Sequence, residues 1–245
     1  MRINLILLLL IGAACGEPNF SESQGTGSGG SLSRFAIRDE YLYLVTGYTL
    51  NTFSLSDGSF REVNSSTISF GLETIQAQGD FLYLGANDAM YIYSISNRAQ
   101  PEFIFRYSHI VACDPVVVQG NRAYVILRGG TPCNVGTNQL EIIDITNPYA
   151  PVLLAQYAMT SPGGLGIFGD CLFVCEGTAG LKMLRVADDV VTPLLELSEV
   201  NAYDVIVKPN SILLTGEDGL FQYAYTCQPP ALTLISSIPV QRAEF

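Results

Sequence analysis

ACDPVVVQGNRAYVILR, residues 112–128, holds two short apolar runs on either side of a polar turn. Val116-Val117-Val118 leads into Gly120-Asn121, and AYVIL at 123–127 follows. The same turn recurs at Asp39-Glu40, Gly79-Asp80, Gly169-Asp170 and Pro209-Asn210, giving spacings of 40, 41, 49 and 40 residues along the chain. The long spacing contains an insertion, Gly129 to Asn138. After each turn comes an apolar run: YLYLV at 41–45, FLYLG at 81–85, AYVIL, CLFVC at 171–175 and SILLT at 211–215. A third run opens on Leu50, Met90, Leu140, Leu181 or Leu220, and a fourth, weaker one often follows a proline such as Pro101, Pro151 or Pro193.

Short runs at this spacing, separated by polar turns, predict an all-β meander. Four strands in about 40 residues, repeated, predict a β-propeller of five four-stranded antiparallel blades across residues 32–245. The fixed period favours that architecture over a two-sheet sandwich or a solenoid. Many runs are apolar at consecutive positions, as expected of sheets covered on both faces by neighbouring blades. The first and last repeats are therefore expected to meet and close the ring.

At the third repeat, Leu140-Glu141-Ile142-Ile143-Asp144 resembles the motif of the LVIVD-repeat proteins, and Ile145-Thr146-Asn147-Pro148-Tyr149-Ala150-Pro151 resembles the Asn/Asp-Pro-x-x-Pro stretch that follows it. The segments 112–128, 165–177 and 215–223 are similar to the version in exported lipoproteins of the Bacteroidota type. The resemblance spans about residues 34–238 and implies a fold more than an activity. The first and last repeats lack the Asp and the proline pair.

The N-terminus, MRINLILLLLIGAAC, has one positive residue, Arg2, and an apolar stretch from Leu5 to Ile11 that is too short to span a bilayer. The small residues Gly12-Ala13-Ala14 precede Cys15, so residues 1–14 read as a signal peptide and Cys15 as a lipidated mature N-terminus, although Gly12 stands where a lipobox usually has Leu. Cleavage after Ala14 without lipidation is the alternative. Residues 15–31 then form the anchor and a Gly/Ser-rich linker. Either route places the domain outside the cytoplasm; the lipidated one makes it a cell-envelope protein, an outer-membrane lipoprotein touching the membrane through its anchor alone.

Five further cysteines follow: Cys113, Cys133, Cys171, Cys175 and Cys227. Cys113 precedes the first strand of the third repeat and Cys133 follows its second, on the same side of one blade, so these two are the preferred disulfide. Cys171 and Cys227, in neighbouring repeats near the opposite side, are a second candidate pair. Cys175 remains as a buried thiol.

With 12 basic and 23 acidic residues the formal charge is −11, which offers no basic face for nucleic acid. The single histidine, His109, stands four residues before Cys113, a poor zinc spacing, and no C-x-x-C occurs, so neither a metal nor a cofactor is expected. Meander topology places the first-strand starts and the second-to-third-strand loops on one side, here called the upper face. That face collects Glu73, Asp114, Arg128, Tyr203 and Asp204 around the channel rim. Two readings result. In the preferred one the domain is a binding or scaffold module, and the rim residues and the insertion meet a protein or small ligand of the envelope. In the rival one, Glu73, Asp114 and Asp204 supply acid and base to a glycan hydrolase. The chain has no Trp to form a sugar platform, and rim acids often cap backbone amides, so no catalytic residue is assigned.

Overall fold

The computed structural model describes residues 30–68, 71–108, 115–129 and 138–240. They form five four-stranded antiparallel sheets, each with its strands in chain order. Blade 1 holds β1 (Phe35–Arg38), β2 (Tyr41–Thr46), β3 (Thr49–Ser54) and β4 (Arg61–Thr67). Blade 2 holds β5 (Leu72–Gln78), β6 (Phe81–Ala86), β7 (Ala89–Ser94) and β8 (Glu102–Ser108). Blade 3 is β9 (Val116–Gln119), β10 (Arg122–Leu127), β11 (Gln139–Asp144) and β12 (Val152–Ala158). Blade 4 is β13 (Leu165–Phe168), β14 (Cys171–Cys175), β15 (Leu181–Ala187) and β16 (Val190–Leu197). Blade 5 is β17 (Ala202–Lys208), β18 (Ser211–Gly216), β19 (Gly219–Cys227) and β20 (Pro230–Pro239). The expected all-β propeller of five blades is therefore present.

The landmark turns explain their own composition. Gly79, Gly120 and Gly169 have φ of 58°, 59° and 58°, a region that carries no penalty only for glycine. Asp39 takes the same place in blade 1 at φ 54°, as a short polar side chain can.

The packing follows from strand alternation. In blade 2, Leu82 and Leu84 join a buried cluster with Tyr43, Val45 and Leu50 of blade 1. Tyr83, between them, points the other way into a cluster with Val116, Val118 and Val125 of blade 3. A third cluster joins blades 3 and 4 through Ile126, Leu140, Leu172 and Val174. A fourth joins blades 4 and 5 through Phe173, Met183, Val205 and Leu214. Polar clasps reinforce the inner strands. Gln76 Nε2 donates to the carbonyl of Val118 at 3.2 Å while its Oε1 accepts the Val118 amide at 2.8 Å. Gln119 makes the same pair of bonds with Gly169. On the lower face, Arg98 of blade 2 meets Asp39 of blade 1 at 2.8 Å, and Arg122 of blade 3 meets Asp189 of blade 4 at 2.6 Å.

The closure expected between first and last blades takes a different form. Among the described residues no buried apolar cluster joins blade 5 to blade 1. β6, β7, β10 and β14 are buried on both faces, whereas β3 alternates between buried and half-buried positions and β18 does so over its first four residues. Leu42, Leu44 and Phe53 of blade 1 stay half-buried, and Phe35 is 49% exposed. The outer strand β20 is exposed along nearly its whole length. The ends are joined instead at the axis, by the segment that enters blade 1.

Candidate binding face

Residues 30–33 cross the upper end of the channel before β1 begins. Ser31 Oγ accepts the amide hydrogen of Leu165 (2.7 Å) and donates to Asp204 Oδ1 (3.1 Å). The Ser33 carbonyl accepts from the amide of Ile75 at 2.9 Å. One short segment thus touches the inner strands of blades 2, 4 and 5.

Asp204, a rim residue by sequence, is held in this network. Its carboxylate also accepts from the amides of Ser31, Leu32 and Val205. It lies against two glycines: a Cβ on Gly30 or on Gly164 would come within 2.2 Å of its oxygens. Burial raises its pKa above the usual carboxylate value, with the hydrogen bonds opposing that rise. Cys175 is a free, buried thiol, as expected, and burial pushes its pKa well up, with the charge of Asp204 adding to the effect.

Glu73, at the start of β5, lies 3.7 Å from Arg128, which follows β10, so these two rim residues meet across the blade 2–blade 3 boundary. Tyr203 is 47% exposed and its carbonyl accepts the Gly164 amide at 2.9 Å. The structure thus brings Glu73 to Arg128, but gives Asp204 its own partners in the entering segment. Asp114, the proposed Cys113–Cys133 bridge and Cys15 lie outside the described residues. The disulfide present among them is the second candidate pair, Cys171–Cys227, with Cα atoms 5.9 Å apart. It ties the second strand of blade 4 to the third of blade 5.

Among the described residues, a channel cavity of about 40 Å³ lies between Gln76, Val117, Leu165 and Val205. That space admits a water and is too small for a sugar or nucleotide. Larger openings lie elsewhere. One of about 370 Å³ sits on the lower face beside the disulfide, lined by Phe168, Arg185 and Tyr225. Another, of about 200 Å³, lies at the upper end of the blade 2–blade 3 boundary beside Glu141. The sequence reading missed Ser31 and Glu141. Ser31 lay in a stretch read as linker, and Glu141 inside a motif read as strand core.

The LVIVD repeat family model matches residues 73–109 and 112–159, which are blade 2 and blade 3 with their flanking residues. Blades 2 and 3 of the chain are LVIVD repeats. The matched residues include Glu73, Arg128 and Glu141, so the upper boundary between blades 2 and 3 is built wholly from LVIVD repeats. No curated protein matches the chain in sequence. Solved structures do match the fold of this chain. A functionally unknown protein from Desulfotomaculum acetoxidans aligns with TM-score 0.71 and 11% identity, over 84% of this chain and 69% of that one. A putative 6-phosphogluconolactonase from Bacteroides fragilis aligns at 0.67 and 11%, over 84% and 69%. The periplasmic gluconolactonase of Pseudomonas aeruginosa aligns at 0.65 and 14%, over 82% and 68%. A computationally designed protein, Ika8, aligns at 0.62 and 11%, over 83% of this chain and only 60% of its own. The chain therefore shares a propeller fold with these proteins and spans roughly two thirds of their length.

Proposed function

We propose that this propeller is a binding or scaffold module of the cell envelope, carried on a lipid at Cys15 and presenting its upper face to a protein or small ligand. The observation that carries this reading is the state of Asp204. Four donors, the Ser31 hydroxyl and the amides of Ser31, Leu32 and Val205, take up its carboxylate. A general acid or base must reach a substrate proton within hydrogen-bond range, and this one is occupied in joining the chain's entry to blade 5. Glu73 faces Arg128 across a blade boundary, so two of the three acids that the glycan-hydrolase reading would use already have partners. The disulfide between Cys171 and Cys227 suits an oxidising compartment outside the cytoplasm. Among the described residues no helix is long and apolar enough to cross a membrane, and a lipid on Cys15 would serve as the attachment.

Two experiments test the reading. Cys15→Ser is expected to move the protein from the outer-membrane fraction to a soluble extracytoplasmic pool; an already soluble wild type would remove the anchor. A photo-crosslinker at Tyr203 is expected to capture a discrete partner in intact envelopes, while one at Asn210, at the opposite end of the same blade, captures none. Release of reducing sugar ends from envelope glycans by the purified protein, lost on Glu73→Gln, would overturn the binding reading in favour of hydrolysis.

A further inference from the structure

Glu141 is a glutamate in the middle of a strand with only 3% of its surface exposed. Alternation along β11 places Gln139 and Ile143 on its face, and Ile143 packs into the cluster shared with blade 2. Across the ladder, Glu141 stands directly opposite Gln156 of β12. Both glutamines donate to the same carboxylate oxygen: Gln139 Nε2 to Oε1 at 3.0 Å, and Gln156 Nε2 to Oε1 at 2.8 Å. The other oxygen, Oε2, is buried and has no hydrogen-bond partner among the described residues. A buried carboxylate oxygen without a donor is costly, so something is missing from its surroundings.

The next blade shows how this chain normally meets that cost. Glu176 is fully buried and its Oε2, likewise without a hydrogen bond, is met by the charge of Lys182 Nζ at 2.6 Å, while the amide of Thr160 donates to its Oε1 at 2.8 Å. Lys182 is the second residue of β15, as Tyr91 is near the start of β7 and Arg106 faces it from β8. Blade 4 therefore supplies its buried carboxylate with an ammonium group. Blade 3 supplies Glu141 with none among the described residues.

What blade 3 has instead is space. The cavity of about 200 Å³ is lined by Glu141, Gln139, Gln156, Tyr107, Leu127 and Leu153. No lysine or arginine lines it. With both glutamine amino groups turned to Glu141, the Glu141 carboxylate is the acidic group lining the cavity. The leucines and the Tyr107 ring suit an aliphatic stem and can lie against a cation. Burial, with the Glu141 charge adding to it, pushes the Tyr107 hydroxyl up to about 12, so the ring stays neutral at physiological pH. A metal ion would need several more oxygens than one carboxylate provides, and no group of three metal-ligating side chains occurs among the described residues.

We propose that the Glu141 cavity receives a protonated primary amine on an aliphatic stem, giving the Glu141 carboxylate the ion pair that Lys182 gives Glu176. The source is either a lysine side chain of a partner protein or a free alkylamine. The inference deepens the binding-module reading by giving one subsite of the upper face a ligand class. It stands apart from the crosslinking experiment, because a small amine can bind whether or not Tyr203 meets a partner.

Calorimetric titration of the full-length protein with n-butylammonium and with N-acetyl-lysine amide tests it, with 1-butanol and N-acetyl-norleucine amide as neutral counterparts. Saturable binding of an amine but not of its neutral counterpart, weakened by about tenfold or more in Glu141→Gln, supports the proposal. Binding of both amines points to a lysine side chain as the source, and binding of n-butylammonium alone to a free amine. No saturable binding, or equal binding to wild type and Glu141→Gln, overturns it and leaves the cavity to water. If Glu141→Gln does not fold, alkylation of Ser108→Cys, at the cavity mouth, decides: the amines are expected to slow it and the neutral compounds are not. Equal rates with and without amine overturn the proposal.

Discussion

Ser31 donates its hydroxyl hydrogen to Asp204 across 173 residues of chain, at 3.1 Å. This contact joins the segment entering blade 1 to the first strand of blade 5, where no apolar cluster does so. Asp204→Ala leaves the amides of Ser31, Leu32 and Val205 without their acceptor and is expected to cost about 2–3 kcal/mol in urea unfolding. A loss below about 0.5 kcal/mol would mean that the axis contact holds nothing together.

The pH dependence at this site has a definite sign. Burial raises the folded-state pKa of Asp204 above 3.8, so between 3.8 and that higher value the folded state holds more proton than the unfolded one. The contribution of this group to stability therefore falls as pH rises through that window and levels off above it. Asp204→Asn removes the titration. Unfolding free energies of wild type and Asp204→Asn, measured from about pH 3 to 7, should diverge against the wild type as pH rises above 3.8. A constant difference would show that the carboxyl is not buried as described.

The Cys171–Cys227 bridge closes a loop with a sequence separation of 56. Cys227→Ser is expected to lower stability by about 2–4 kcal/mol, chiefly by freeing the unfolded chain. Peptide mapping without reductant should recover Cys171 and Cys227 in one linked species. Cys175, buried and with a raised pKa, should react with thiol reagents only after unfolding.

The Gln76 clasp carries both a donor and an acceptor to Val118. Gln76→Leu keeps the bulk but leaves the Val118 amide and carbonyl without these partners. The expected loss is about 2 kcal/mol, and hydrogen exchange at the Val118 amide should speed up more than at Val117.

Blade 1 should respond unequally on its two faces. Leu50 is fully buried against blade 2, and Leu50→Ala is expected to cost about 3 kcal/mol. Phe35, on the other face, is half exposed, and Phe35→Ala should cost under about 1 kcal/mol. Equal losses would show that a neighbour covers the outer face of blade 1 in solution.

The sequence by itself determined the blade. Strand, turn and strand are local: a glycine or Asp at positive φ sets four of the five landmark turns, and runs of Leu, Val, Ile and Tyr set each strand. Five copies of that unit could be counted from Asp39 to Pro209. Three things were decided only by the tertiary structure: that Ser31 reaches Asp204, that Cys227 bonds Cys171, and that Glu141 is buried at the wall of a cavity without a basic partner among the described residues. Each depends on the angle and offset between blades. Those are set by the summed packing of side chains from different repeats, and a strand's period of two reveals which face a residue takes but not what stands opposite it.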